Sequence, residues 1–512
     1  MTQNHADVTG VPRDHLVVEL DVLPHSLTLG RLFDFAGEII GSALFDSLFV
    51  EGAEPCEMKA GMVKRASPRR DFKQWTLEIE KDLSWSDGTP LTAFDVGRAI
   101  NQMTDPQTRA PLGWLANVFL GAAQKGSGRT ARNTRLGCVV TSANKLELYL
   151  NRPLAYLPTL LGASCFSPCP ESTESQPGAE RQVSGPYRLA ATLGDKQGIV
   201  LELNRKSRQA RSSSPKHIVF VKTDSSAQTL LLYEQSRIDV TGNTFFPPHL
   251  IPRYRGNSDF VQAEMSMTAY LQPNASRFPC FNQLSMRKAL SLAIDRYAIS
   301  QQLNGAVEPL WRFTELWYPS DIAAPRQQPD KAVAELKRVY GKISTPIRLI
   351  YADFVPNDQI VNAIAEQVGD VLGIRVNPQP LCYEDYLQAV LKGDYDLLYV
   401  ITPAAYQDPS SLLVLFRRDG ILGRHLGFSD RSYDCLLGEA EACADFHLRI
   451  KKYREANDWL LNSLPVIPLF RVQSIFLRKP HLRGFSVRRS GIIPFSDIDL
   501  HGGRFASCSS VA

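Results

Sequence analysis

From residue 330 to residue 402 the chain repeats one pattern, and that pattern restricts the fold more than any other feature of the sequence. "DKAVAELKRVYG" opens with Asp330 and closes with Gly341, the start and stop signals of a helix. "IRLIYA" follows as a short run of β-branched, apolar and aromatic residues, which reads as a strand. In "NDQIVNAIAEQVGDVLGI", Ile360, Ile364, Val368, Val371 and Leu372 fall on one helical face. "IRVNPQPL" is the next strand, "YEDYLQAVLKG" the next helix and "YDLLYVI" the next strand. Strand, helix, strand, helix, strand implies parallel strands joined by right-handed crossovers, so the class is α/β. Further on, "LRIKKYREANDWLLNSL" reads as a helix and "VIPLF" as a strand. The chain has 512 residues, which implies more than one lobe.

Charge and composition exclude several function classes. Lys and Arg number 57 against 53 Asp and Glu, a net charge of +4, too balanced for a dedicated nucleic-acid binder. No apolar run is long enough to span a membrane. The first residues, "MTQNHADVTGVPRDHLVVEL", lack the basic and apolar regions of a secretory signal. Nine scattered cysteines are an odd number, which favours a reducing compartment. Cys165 and Cys169 stand alone as a C-x3-C pair, too little for a metal site. No metalloprotease, nucleophile-elbow or phosphate-loop motif occurs. No catalytic residue, metal ligand or cofactor is therefore assigned. Gly126, Ser127 and Gly128 beside Arg129 and Arg132, the polar run 170–183 and the basic run 204–217 all read as loops.

One stretch, "SWSDGTPLTAFDV" (84–96), gathers two carboxylates, Asp87 and Asp95, among hydroxyl residues that include Ser86 and Thr89. Asp87 and Gly88 favour a tight turn. Thr92 and Asp95 make a capping-box variant that opens the helix "AFDVGRAINQM", with Val96, Ala99 and Ile100 on its apolar face. Both carboxylates thus have structural duties, as turn maker and helix cap.

The same stretch resembles the "F-S-D-G-x-P-x-T-A-x-D-V" signature of bacterial extracellular solute-binding protein family 5, which delivers oligopeptides, dipeptides or nickel to ABC importers. "SGPYRL" (184–189) is similar to the family's "G-T-G-P-Y", and "MRKALSLAIDRYAI" (286–299) to its "V-R-Q-A-l-x-x-A-I-D-R". "QVGDVLGIRVNPQPLCYEDYLQAVLKGDYDLL" and "DWLLNSLPVIPLF" fit its later half.

The resemblance implies a two-lobed periplasmic-binding-protein-like fold (type II, peptide-binding cluster). Lobe I is expected at 1–45, 184–265 and 476–512, a β-rich subdomain inserted at 46–183, and lobe II at 266–475. It implies a non-enzymatic protein that closes a hinge over a peptide or peptide-like small ligand. Its partner would be the membrane permease of an ABC importer. No nucleic-acid partner and a monomer are expected. The family implies a periplasmic or cell-envelope location. The absent signal keeps a cytoplasmic sensor or carrier as the alternative, and after it a co-opted enzyme.

In peptide-binding relatives an Asp four residues before a Pro pairs with the ligand's α-ammonium. Counting back from Pro409 gives Ala405 here, and Pro403 has no N–H to offer a ligand backbone. A buried ammonium without a carboxylate is costly, which argues against ordinary α-amino peptides. The ligand-facing candidates are Phe33, Asp34, Phe35, Pro403, Ala404, Ala405 and Tyr406. Asp34 is a candidate for the missing charge, and Asp408 a second, beside Pro409 at a helix start.

Overall fold

A computed structural model of the chain describes residues 15–20, 22–24, 26–29, 32, 34–122, 136–168, 170, 182–193, 198–242, 246–318, 323–324, 326–341, 343 and 345–500. Phe33, Cys169, the 126–128 loop and most of the 170–183 run lie outside them.

The described chain opens with β1 (His15–Glu19) and α1 (Phe35–Leu44), then forms a two-stranded ladder from β2 (Phe49–Glu51) and β3 (Met58–Ala60). β4 (Val63–Pro68), β5 (Gln74–Ile79), β6 (Cys138–Ser142) and β7 (Lys145–Tyr149) make an antiparallel sheet in the order β4-β5-β7-β6. Helix α2 (Ala93–Met103) packs against it. β8 (Tyr187–Leu193), β9 (Gly198–Leu203) and β10 (His217–Val221) then rejoin β1 in the order β1-β10-β9-β8, with β1 and β10 parallel. Next come α3 (Ser226–Glu234), β11 (Phe260–Pro273), α4 (Leu284–Ala293), β12 (Val307–Pro309) and α5 (Pro329–Leu336). β13 (Ile347–Ala352), α6 (Asn357–Leu372), β14 (Val376–Leu381), α7 (Tyr383–Lys392) and β15 (Leu397–Pro403) follow. Helices α8 (Arg431–Glu441) and α9 (Phe446–Ser463) lead to β16 (Ile467–Leu477).

The repeated pattern of the sequence is β13-α6-β14-α7-β15, and β13 pairs in parallel with both β14 and β15. Ile360, Ile364, Val368 and Leu372 are buried on α6, with Val361 beside them, while Val371 is half-buried. Gly373 and Gly393 end α6 and α7 in the left-handed conformation, at φ +66° and +65°. Helix α5 stops at Leu336, short of Gly341, because Gln283 bonds both the N–H and the C=O of Tyr340 and draws the chain away.

The six-stranded sheet is mixed, in the order β12-β16-β11-β15-β13-β14, with β11 antiparallel to both neighbours. Its core gathers Ala269, Leu271, Leu290, Leu349, Ile364, Leu397 and Leu469 under α4 and α6. The β1 sheet has its own core with α1, from Leu16 and Val18 to Ile40, Leu201 and Phe220. The β4–β7 sheet has a third, including Trp75, Leu77, Ile79, Val96 and Ile100.

Two of the sequence motifs fasten this frame. Thr92 and Asp95 complete the capping box, with the Thr92 N–H donating to Asp95 Oδ2 at 2.8 Å. Asp87 Oδ1 accepts from the N–H and hydroxyl of Thr89 at 2.9 and 2.7 Å, across the turn at Gly88 (φ +95°). Asp295 caps the short helix that follows α4, and Arg296 is fully buried. The Arg296 guanidinium donates to the carbonyls of Pro468 and Ser291 and to Ser291 Oγ, tying β16 to α4.

Candidate functional site

Parallel α/β sheets place ligands at the carboxyl ends of their strands, where the loops diverge. Here β1 and β10 end at Glu19 and Val221, and β13 ends at Ala352. A crevice of about 240 Å³ lies where these ends meet. One wall carries Glu19, Thr223, Asp224, Ser225, Thr229 and Thr241, and the other carries Asp353, Phe354 and Val355. Phe246 and Pro247 close one side. No Lys, Arg or His stands among its described lining residues. Hydroxyls and carboxylates dominate, so it suits an uncharged or positively charged group better than an anion.

Glu19 is the most enclosed of these carboxylates, at 5% exposure. Its Oε2 accepts the Gly242 N–H at 2.5 Å and its Oε1 the Thr223 hydroxyl at 3.3 Å. Burial raises its pKa above the ordinary glutamate value, and those hydrogen bonds recover only part of the shift.

The crevice continues along aromatic side chains. The Phe354 ring lies 5.6 Å from that of Tyr383, at the start of α7. Burial raises the pKa of the Tyr383 hydroxyl, and nearby Asp34 raises it further. Asp34 therefore lies within electrostatic reach of the start of α7. Its carboxylate also caps α1, with Oδ1 accepting the Gly37 N–H at 2.6 Å. Phe35 packs beside Met265 and over Gly491, whose φ of +83° and crowded surroundings leave no room for a Cβ.

At the end of β15 the candidates separate. Pro403 is exposed and pairs with Met267. The Ala404 N–H donates to the Ser266 carbonyl and the Ala405 N–H to Ser411 Oγ, both at 2.8 Å. Tyr406 does not face the crevice. It is buried in the core of the β4–β7 sheet, stacked on Tyr156 at 6.0 Å, with its hydroxyl 3.1 Å from Ser410 Oγ. Asp408 is fully buried as well, accepting from the Ser410 N–H and hydroxyl, with Arg449 at 3.5 Å. It serves a helix start, as its neighbour Pro409 suggested. Phe33 lies outside the described residues.

Glu19, Thr223, Thr241, Asp353 and Phe354 escaped the sequence reading. The position of Glu19 as the last residue of a strand was the one signal that pointed toward it.

A larger cavity, about 620 Å³, is lined by Asn274, Arg287, Arg424 and His425. It sits at the opposite end of β15, where the Asn274 N–H reaches the Asp396 carbonyl. The Arg287 guanidinium there is committed to the carbonyls of Phe281, Ser463 and Leu464. That cavity lies at one end of the central strands β11 and β15, away from the meeting strand ends.

No helix among the described residues is long and apolar enough to cross a membrane. No cluster of His, Cys, Asp and Glu among them is arranged to hold a metal.

The family model for the bacterial extracellular solute-binding proteins, family 5, middle region, matches residues 57–422. Among curated relatives, the probable deoxycholate-binding periplasmic protein YgiS of Escherichia coli K12 is 26% identical over 435 residues, covering 81% of this chain and 80% of its own. The periplasmic oligopeptide-binding protein OppA of Salmonella typhimurium is 24% identical over 469 residues, 86% of this chain and 84% of its own. Among solved structures, an oligopeptide-binding protein (OppAIV) of Borrelia burgdorferi superposes with a TM-score of 0.83 at 22% identity, covering 95% of this chain and 99% of its own. Haemophilus influenzae OppA in complex with RPPGFSPFR gives 0.80 at 21% identity, covering 95% and 98%.

Proposed function

The chain belongs to the bacterial extracellular solute-binding proteins of family 5, and from that membership we propose that it is the solute-binding component of a peptide-type ABC importer. It encloses a peptide or peptide-like small molecule between two hinged lobes. The observation that carries this is the crevice where the strand ends of the β1 sheet meet those of β13, with Glu19 on one side and Asp353 on the other.

The lobes are 1–45 with 184–265 and 476–512, against 266–475, and the inserted subdomain is 46–183. β11 and β16 run from one lobe into the other. Their pairing is interrupted between Glu264 and Thr268, so bending concentrates there. Ser266 lies in that gap, its N–H donating to the Arg489 carbonyl and its C=O accepting from Ala404. Closure is a rotation about two adjacent strands, which reshapes the crevice while leaving both sheets intact. Family members are solute-binding proteins, and this one binds without turnover. It works as a monomer in the cell envelope, presenting its closed form to a membrane permease.

The relatives' names include both oligopeptide and deoxycholate binding, so the ligand must be identified directly. Native followed by denaturing mass spectrometry of the purified protein weighs whatever it carries. A set of short peptides supports the reading. A single non-peptide mass keeps the binding role and changes the ligand class. An empty protein that ignores a peptide library refutes peptide import.

A further inference from the structure

Behind Phe246 the crevice adjoins a recess of about 20 Å³. Its walls are mostly apolar: Phe246, Val307, Ile360, Ile401, Val472 and Ile475. Three polar side chains also line it: Gln473, which donates to Glu308 Oε2 at 3.2 Å, and two buried ones, Asn357 at 3% exposure and Tyr399 at 2%. Neither Asn357 Oδ1 nor the Tyr399 hydroxyl has a hydrogen-bond partner among the described residues. Buried polar atoms are nearly always paired, so two orphans in one recess mark a place where something else supplies the partners.

The orientation of Asn357 is fixed, because its Nδ2 donates to the Ala352 carbonyl at 2.9 Å. Its Oδ1 is therefore an acceptor only. The Tyr399 hydroxyl both donates and accepts, and burial raises its pKa, keeping it protonated. The recess has room for a group of one or two heavy atoms, about the size of a water. A carboxylate would meet the lone pairs of Asn357 with no cation among the lining residues. A single hydroxyl fits that volume, donating to Asn357 and accepting from Tyr399.

We propose that Asn357 and Tyr399 form the closed end of the ligand site and take an uncharged hydroxyl terminus of the ligand. This rests on the crevice being the ligand's entrance. It adds that specificity at this end is set by two neutral side chains.

The test uses the tripeptide alcohol alanyl-alanyl-alaninol and trialanine as probes, titrated calorimetrically against the wild type and Tyr399→Phe, with a crystal structure of the alcohol complex. The alcohol is expected to bind the wild type at least tenfold more tightly than the acid. Tyr399→Phe should erase that difference while keeping the wild-type melting temperature. An alcohol seated in the crevice with only water in the recess overturns the proposal and leaves the crevice reading standing. Tyr399→Phe binding the alcohol like the wild type does the same. If neither probe binds and the crevice is empty in the crystals, both fail.

Discussion

Raising the pH from about 5 to about 8 should destabilise this protein, and Asp46 should account for much of the loss. Asp46 is 4% exposed and lies between α1 and β2. Its Oδ1 accepts from Gln209 Nε2, and its nearest cation, Arg208, is 3.9 Å away and partly exposed. Desolvation dominates over that distant guanidinium and lifts the carboxyl from 3.8 to about 7. The folded state therefore holds a proton that the unfolded chain releases near its ordinary value. A raised pKa contributes stability in full below the unfolded value, and that stability is lost as the pH rises through the folded one. Of that shift, about two pH units fall between pH 5 and 8, and at about 1.4 kcal/mol each they give roughly 3 kcal/mol. An unfolding entropy of about 2 cal/mol/K per residue gives about 1 kcal/mol/K for a chain of this length, so the melting temperature falls by about 3 °C. Burial also raises Glu19, Glu38, Glu51 and Asp239, which push in the same direction. Scanning calorimetry across this range on the wild type and Asp46→Asn is the assay. The variant keeps an acceptor for Gln209 and should match the wild type in acid, then exceed it by several degrees above neutrality. Parallel curves for the two proteins, or a wild type that gains stability toward alkaline pH, would refute the reasoning.

Thr92→Ala removes the capping box and should cost about 1 kcal/mol while leaving ligand affinity unchanged. Lost binding by isothermal titration would return the 84–96 stretch to a functional role. Arg296→Met leaves the Pro468 carbonyl without its guanidinium and should cost about 3 kcal/mol. An unfolding free energy from denaturant titration within about 0.5 kcal/mol of the wild type would show that this arginine does not hold β16. Glu441, 1% exposed, joins Arg417 at 3.0 Å to Arg152 at 3.1 Å. Glu441→Ala should cost about 3 kcal/mol and speed proteolysis between residues 46 and 183, and unchanged cleavage would count against that bridge.

The α/β repeat was legible because each of its helices shows one apolar stripe and ends at a glycine that alone is comfortable there, Gly373 or Gly393. The capping box was legible because its chemistry lies within four residues. β11 was not. Its second half, Met265 to Pro273, is buried on both faces, so the two-residue alternation that betrays a strand is missing. The crevice escaped for a related reason. Glu19, Thr223 and Asp353 come from three separate strand ends and Thr241 from the isolated bridge at Val240, and short polar residues there are indistinguishable from ordinary loops until the sheets are placed. Tyr406 shows the converse. Its aromatic ring beside candidate ligand positions suggested a pocket wall, but only the folded chain brings Tyr156 up to stack on it.

On the proposed function, recognition is expected to run through side chains more than through the backbone. An extended ligand that adds itself to a strand needs free N–H groups on the edge it meets. At the end of β15, Pro403 has none, the Ala404 N–H is held by Ser266, and the Ala405 N–H by Ser411. The two nearby acids are occupied too, Asp34 by the start of α1 and Asp408 by Ser410 and Arg449. Glu19, Thr223, Thr241 and Asp353 line the crevice itself, with Asn357 and Tyr399 behind it. Backbone pairing is indifferent to ligand side chains, whereas a short row of hydroxyls, carboxylates and one amide reads the ligand's own functional groups. Ser411→Ala tests this directly. It frees the Ala405 N–H without touching the crevice. If side chains govern recognition, ligand affinity stays within about twofold. A tenfold gain for extended peptides would show that the strand edge was the site all along.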